Sequence, residues 1–141
     1  MKKYYLFVIK PDVYNIYHKN PSVLYEALSN LYRLEAYDFS YGISLFNQLC
    51  KPFSVKLLNS YIKEKYKYNL LKNNIIYMKS FVEKTFIQIG YASTVIFTDT
   101  SYPEIFRIFN IYNRKIFVCD FLNSNYFWLN KEVEKIGKKT S

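Results

Sequence analysis

Few side chains in this sequence are of the kinds that do covalent or metal chemistry. Histidine occurs once, at His18, cysteine twice, at Cys50 and Cys119, and glycine three times, at Gly42, Gly90 and Gly137. A zinc site would need His18 together with both cysteines and scattered carboxylates, none of them at a metal-ligand spacing. Three glycines so far apart spell neither a phosphate-cradling loop nor a dinucleotide fingerprint. His18, beside Lys19, reads as a partly exposed imidazole at a helix end rather than a catalytic base. Asp99 and Glu104 resemble a pair of catalytic carboxylates, but helix capping already accounts for Glu104. The expectation is a protein that is not an enzyme, with no cofactor, no metal and no small-molecule substrate.

Two binding chemistries remain. From Lys51 to Lys84 there are eight lysines against two glutamates, interleaved with Tyr61, Tyr66, Tyr68 and Tyr77. Lysine neutralises phosphates and tyrosine stacks on bases, so a basic, tyrosine-rich single-stranded nucleic-acid-binding domain is one reading. The whole chain discounts it. Lys plus Arg number 20 against 11 Asp plus Glu, with 16 Tyr and few Gly, which is also the usage of an AT-rich genome. Nor is there a helix-turn-helix glycine turn, an RRM aromatic motif or a zinc finger. The other chemistry is protein binding, through a helix after the first strand that carries Tyr14 and Tyr17, amphipathic rings of the kind interfaces favour.

The length of 141 residues suits a single domain spanning 1–141 with its own core. Charged residues interrupt every apolar run well before the ~18 residues of a membrane span. Tyr4 to Ile9 is too short for a signal-peptide core, and no small-residue cleavage site follows. These features read as a cytoplasmic protein, where Cys50 and Cys119 are expected as two reduced, buried thiols, a single disulfide being the alternative.

The elements that must carry these groups follow from periodicity. Tyr4-Tyr5-Leu6-Phe7-Val8-Ile9 is a strand covered on both faces. Asp12 caps a helix over 13–18 in which Val13, Ile16 and Tyr17 share a face. Asn20-Pro21 opens a helix through Val23, Leu24, Ala27, Leu28, Leu31 and Tyr32 to Leu34. A weaker helix covers Ser44–Leu49. Ser54–Tyr68 fits a helix by spacing and a strand by alternation. Ile75–Met78 is a short strand, and Thr85–Ile89 and Thr94–Thr98 make a hairpin around a glycine-containing turn. Ser101-x-x-Glu104 is a capping box launching a helix with Ile105, Phe106, Ile108, Phe109 and Tyr112. Lys115–Phe121 and Tyr126–Leu129 form a second hairpin. From Lys131 the chain is a mixed-charge tail, frayed over 137–141. This order gives an α+β fold, a single domain with an antiparallel or mixed sheet and helices packed against it.

The two ends of the chain also resemble a known family. The run Tyr4 to Lys10, then Val13-Tyr14-Asn15-Ile16-Tyr17 and the helix Ser22 to Leu28, is similar to the opening of SirA, the sporulation inhibitor of replication of endospore-forming Firmicutes. Asp120-Phe121-Leu122-Asn123-Ser124-Asn125-Tyr126-Phe127-Trp128-Leu129-Asn130 resembles that family's closing hairpin, with the chain's only tryptophan where the family has one. Phe127 stands where the family tends to have glycine, Lys131 where it has proline, and Val13 where it has a bulkier aromatic. Residues from Asp38 to Tyr91 match only in their pattern of elements. The resemblance implies a non-enzymatic inhibitor of replication initiation that binds the N-terminal domain of DnaA during sporulation, without direct nucleic-acid or membrane contact. Val13 and Tyr17 match its partner-contacting positions, with Tyr17 as the anchoring ring. Tyr14 and Asn15, lying between them, are added as partner-binding residues by position alone. Asp120 and Trp128 are expected to serve the hairpin and the core.

Overall fold

In a computed structural model, residues 1–33, 39–70 and 74–140 are described. The first strand, β1 (Lys2–Ile9), is the middle of the molecule. Its aromatic and branched residues alternate between two cores: Tyr4, Leu6 and Val8 enter one, Phe7 and Ile9 the other. A strand buried on both faces has no polar side to show, which is why it reads as a continuous apolar run.

Eight strands among the described residues form one sheet with only antiparallel pairings. The others are β2 (Cys50–Lys51), β3 (Asn69–Leu70), β4 (Ile76–Lys79), β5 (Lys84–Ile89), β6 (Thr94–Thr98), β7 (Ile116–Asp120) and β8 (Asn125–Trp128). Their order is β3-β4-β5-β6-β1-β7-β8. Leu6 pairs with Thr94 of β6 and Val118 of β7, so these flank β1 on opposite edges. Short β2 continues the β6 edge beyond the hairpin, pairing at Val8 and Ile9. The expected α+β architecture is thus present, its sheet antiparallel.

Helices cover both faces. On the first pack α4 (Val55–Lys65), α5 (Phe106–Tyr112) and α6 (Leu129–Thr140), through Leu58, Ile62, Phe106, Phe109 and Leu129. On the second pack α1 (Pro11–Tyr17), α2 (Pro21–Tyr32) and α3 (Phe39–Leu49), through Val13, Leu24, Leu28 and Phe46. No described helix is long and apolar enough to cross a membrane.

Several local expectations are corrected. Ser54–Tyr68 resolves to helix through Lys65, with the Ser54 hydroxyl accepting the Leu57 N–H at 3.3 Å. The apparent strand alternation there is the inward and outward step of a helix whose Leu58 and Ile62 are fully buried. Asp12 is not the cap of α1: Lys10 holds that position and Pro11 opens the helix. Asp12 lies in the first turn, where its carboxylate suits the positive end of the helix dipole. The Ser101–Glu104 capping box does not form, because the helix begins later, at Phe106, without a side-chain cap. Instead Glu83, from the β4–β5 turn, accepts the Glu104 N–H at 2.9 Å with one carboxylate oxygen. Its other oxygen accepts the Thr85 hydroxyl.

The expected tail after Lys131 is α6, held by buried Leu129 and by Val133 against the first core. Helix continues through the stretch expected to fray, up to Thr140, and Ser141 lies outside the described residues. The helix from Pro21 ends at Tyr32, and Leu34, its expected limit, also lies outside them. In the β5–β6 turn the Gly90 N–H donates to Ser93 O at 3.0 Å, and a Cβ at Gly90 would lie 2.7 Å from that oxygen.

Candidate functional site

The candidate partner-binding residues all lie on α1, a helix too short to be stable alone. It is held at both ends. Lys10 N–H donates to Leu49 O at 3.0 Å, tying the helix start to the end of α3. At the other end, the Trp128 indole N–H donates to the His18 carbonyl at 3.1 Å. The Trp128 ring meets Tyr14 edge-on, centroids 4.8 Å apart, and packs at the same distance on Phe117. His18 stacks on Tyr14 at 5.1 Å and its Nδ1–H donates to Tyr14 O at 3.0 Å. Lys115 Nζ sits 5.6 Å from the Tyr14 ring centroid, a cation–π distance.

These contacts sort the four residues. Val13 is buried, only 7% exposed, and belongs to the second core. Its side chain points inward, so it anchors α1 and offers a partner little surface. Tyr14 is half-buried and its ring is engaged by Trp128, His18 and Lys115, which positions the helix. Tyr17 is half-buried, packed on one side against the second core. Asn15 is exposed.

The residue that spacing misplaced is Ile16. Spacing put it on one face with Val13 and Tyr17, yet Val13 is buried and Ile16 is 68% exposed. On a helix, positions 16 and 17 flank position 13 on either side, and a seven-residue helix has no further turn to say which flank is buried. Tyr17 packs against the second core, and Ile16 is left outside. The surface that results is Asn15, Ile16 and the outer part of Tyr17, on a helix clamped from beneath.

Among the described residues no group of three or more His, Cys, Asp or Glu side chains is gathered for a metal ion. Both cysteines are free and buried. Burial pushes the Cys50 thiol from 9.0 up to about 12 and raises that of Cys119 as well, so neither is poised as a thiolate. A shallow depression of about 190 Å³ lies across the molecule, lined by residues including Asn59, Ser60, Lys63 and Tyr68. Of its lining residues, the Ser60 hydroxyl donates to Lys56 O at 3.2 Å.

The lysine- and tyrosine-rich stretch does not form one surface. Tyr61, Tyr66 and Tyr68 pack against the first core, whereas Tyr77 lies on the opposite face of the sheet, stacked on Phe86. The Asp120 carboxylate accepts the Asn123 backbone N–H at 3.2 Å and its Nδ2–H at 2.8 Å, closing the β7–β8 turn. No protein-family model matches this chain, and no curated protein is significantly similar to it.

Proposed function

We propose that the chain acts without catalysis, in the cytoplasm, by docking its first helix onto the N-terminal domain of DnaA and so inhibiting the initiation of replication during sporulation. The reading rests on the resemblance of residues 4–17 and 120–130 to SirA. The observation that carries it is that these segments, at opposite ends of the chain, are one structural unit: β1 pairs with β7, and Trp128 bonds to the end of α1. A motif pair kept for a common surface should meet in space, and this one meets under α1.

On this reading Tyr17 inserts its exposed part into the partner, Ile16 and Asn15 extend the contact, and Val13 acts from below by setting the helix's height. Lysines around α1 would speed encounter with an acidic partner more than they tighten the complex.

Calorimetric titration of the isolated DnaA N-terminal domain into this protein is the test. Binding is expected, weakened by ~2 kcal/mol or more in Tyr17→Ala if that ring is a hot spot. Ile16→Asp, at an exposed position, should weaken it without loss of fold. Absence of heat at roughly 10 μM, about −7 kcal/mol of affinity, with both proteins folded, overturns the proposal.

A further inference from the structure

Among the described residues, α1, α2 and α3 pack on the second face of the sheet against its β2, β1, β7 and β8 side. Beyond it, β4, β5 and β6 present a row of aromatic rings. Tyr77 pairs with Phe86, Phe86 with Phe97, and Phe97 with Lys3, so four strands place these side chains side by side. The alternation of each strand puts them opposite Ile76, Ile87 and Ile96, which point into the first core. Tyr77 and Phe86 stack with centroids 4.6 Å apart and 21° between planes. Phe97 is 41% exposed, and among the described residues none of the three rings belongs to either core.

The row beside it is charged. Two residues on from Tyr77 and two before Phe86, Lys79 and Lys84 face each other as a cross-strand pair. Like charges set directly opposite destabilise a sheet, and an anion between them would reverse that sign. Asp99, next in line, turns its carboxylate to the Lys84 backbone N–H, at 2.9 Å. Lys3 closes the aromatic row from the far side, its Nζ 5.3 Å from the Tyr5 ring centroid.

We infer that this face binds single-stranded nucleic acid, with bases stacked on Tyr77, Phe86 and Phe97 and phosphates held by Lys79, Lys84 and Lys3. An apolar peptide would use the rings but leave the opposed lysines unrelieved, and a rigid duplex would meet the lysines while keeping its bases out of reach of the rings. An unpaired strand supplies both base faces and phosphates. The row spans two strand spacings, about 10 Å, from Tyr77 to Phe97, which is room for two or three bases. This surface shares no residue with α1, and the inference does not depend on the α1 reading.

Fluorescence anisotropy of a labelled oligothymidylate, with a duplex of equal length as competitor, tests it on the full chain. The single strand is expected to bind at low ionic strength, to outcompete the duplex, and to lose affinity steeply as salt rises. Phe97→Ala with Tyr77→Ala should weaken it by about tenfold or more, and Lys79→Gln with Lys84→Gln should flatten the salt dependence. Tyr17→Ala, on the other surface, should bind as the parent does. Phe97→Leu keeps an apolar side chain at a half-open position and guards against misfolding; it too should weaken binding. No binding at roughly 50 μM at low salt, equal affinity for duplex, or an unchanged affinity in folded Phe97→Leu overturns the inference.

Discussion

Trp128 commits both parts of its side chain to the first helix: the ring meets Tyr14, and the N–H closes the His18 carbonyl. Phenylalanine at 128 would keep most of the packing and lose the hydrogen bond, leaving a carbonyl at the helix end unpaired. Trp128→Phe is therefore expected to lower stability by about 1–2 kcal/mol in urea denaturation, the worth of one such bond plus a small void. An unchanged midpoint would mean that α1 is held by other contacts. The motif as a sequence marked Trp128 as core. Its second role, fixing the helix that carries Tyr17, lies in a contact between residues 110 positions apart. No local pattern encodes such a contact.

Among the elements, α5 departs most instructively from its sequence. Ser-x-x-Glu is a common start signal, yet here the carboxylate that reaches the helix start comes from Glu83 in a neighbouring turn. The two possibilities separate cleanly by mutation. Ser101→Ala should leave the thermal midpoint almost unmoved, within about 0.5 kcal/mol, as for an exposed site without a cap. Glu83→Ala should cost about 1–2 kcal/mol, since it frees the Glu104 N–H and leaves the Thr85 hydroxyl with only its Thr98 partner. The reverse ranking would restore the capping box. α6 shows the opposite error: Leu129, Val133 and Ile136 recur at helical spacing, but dense Lys and Glu around them resembled a solvated tail. With so few apolar positions, the first core had to be present to show that Leu129 is buried and Val133 packs against it.

Over the whole molecule, the buried ionisable groups make stability fall on the alkaline side. Burial raises the Cys50 thiol from 9.0 to about 12 and the Tyr4 phenol from 10.0 to about 12. Below pH 9 both are protonated in the folded and unfolded chains, and their contribution is present in full. Between pH 9 and 12 the unfolded chain ionises first, binds fewer protons than the folded one, and gains relative stability, by up to about 1.4 kcal/mol per pH unit for each group. The urea midpoint should therefore drop steadily from pH 9 to 11, and less steeply in Cys50→Ala. A flat response over that range would mean the thiol is not sealed as the fold has it. Rapid reaction of the native protein with a thiol reagent near neutral pH would say the same.

By itself the amino-acid sequence determined the elements whose cause is local or periodic: the two-faced apolar strand at 4–9, the helix launched by Asn20-Pro21 and the hairpin around Gly90. It also set the scarcity of histidine, cysteine and glycine in the chain. Only the tertiary structure decided which side of each element is covered. It turned Val13 inward and Ile16 outward, divided the lysine-rich tyrosines between two faces of the sheet, and aligned Tyr77, Phe86 and Phe97 from three strands into one row. The physical reason is that periodicity states which residues share a face, whereas burial is a property of what packs against that face, and those neighbours come from distant parts of the chain.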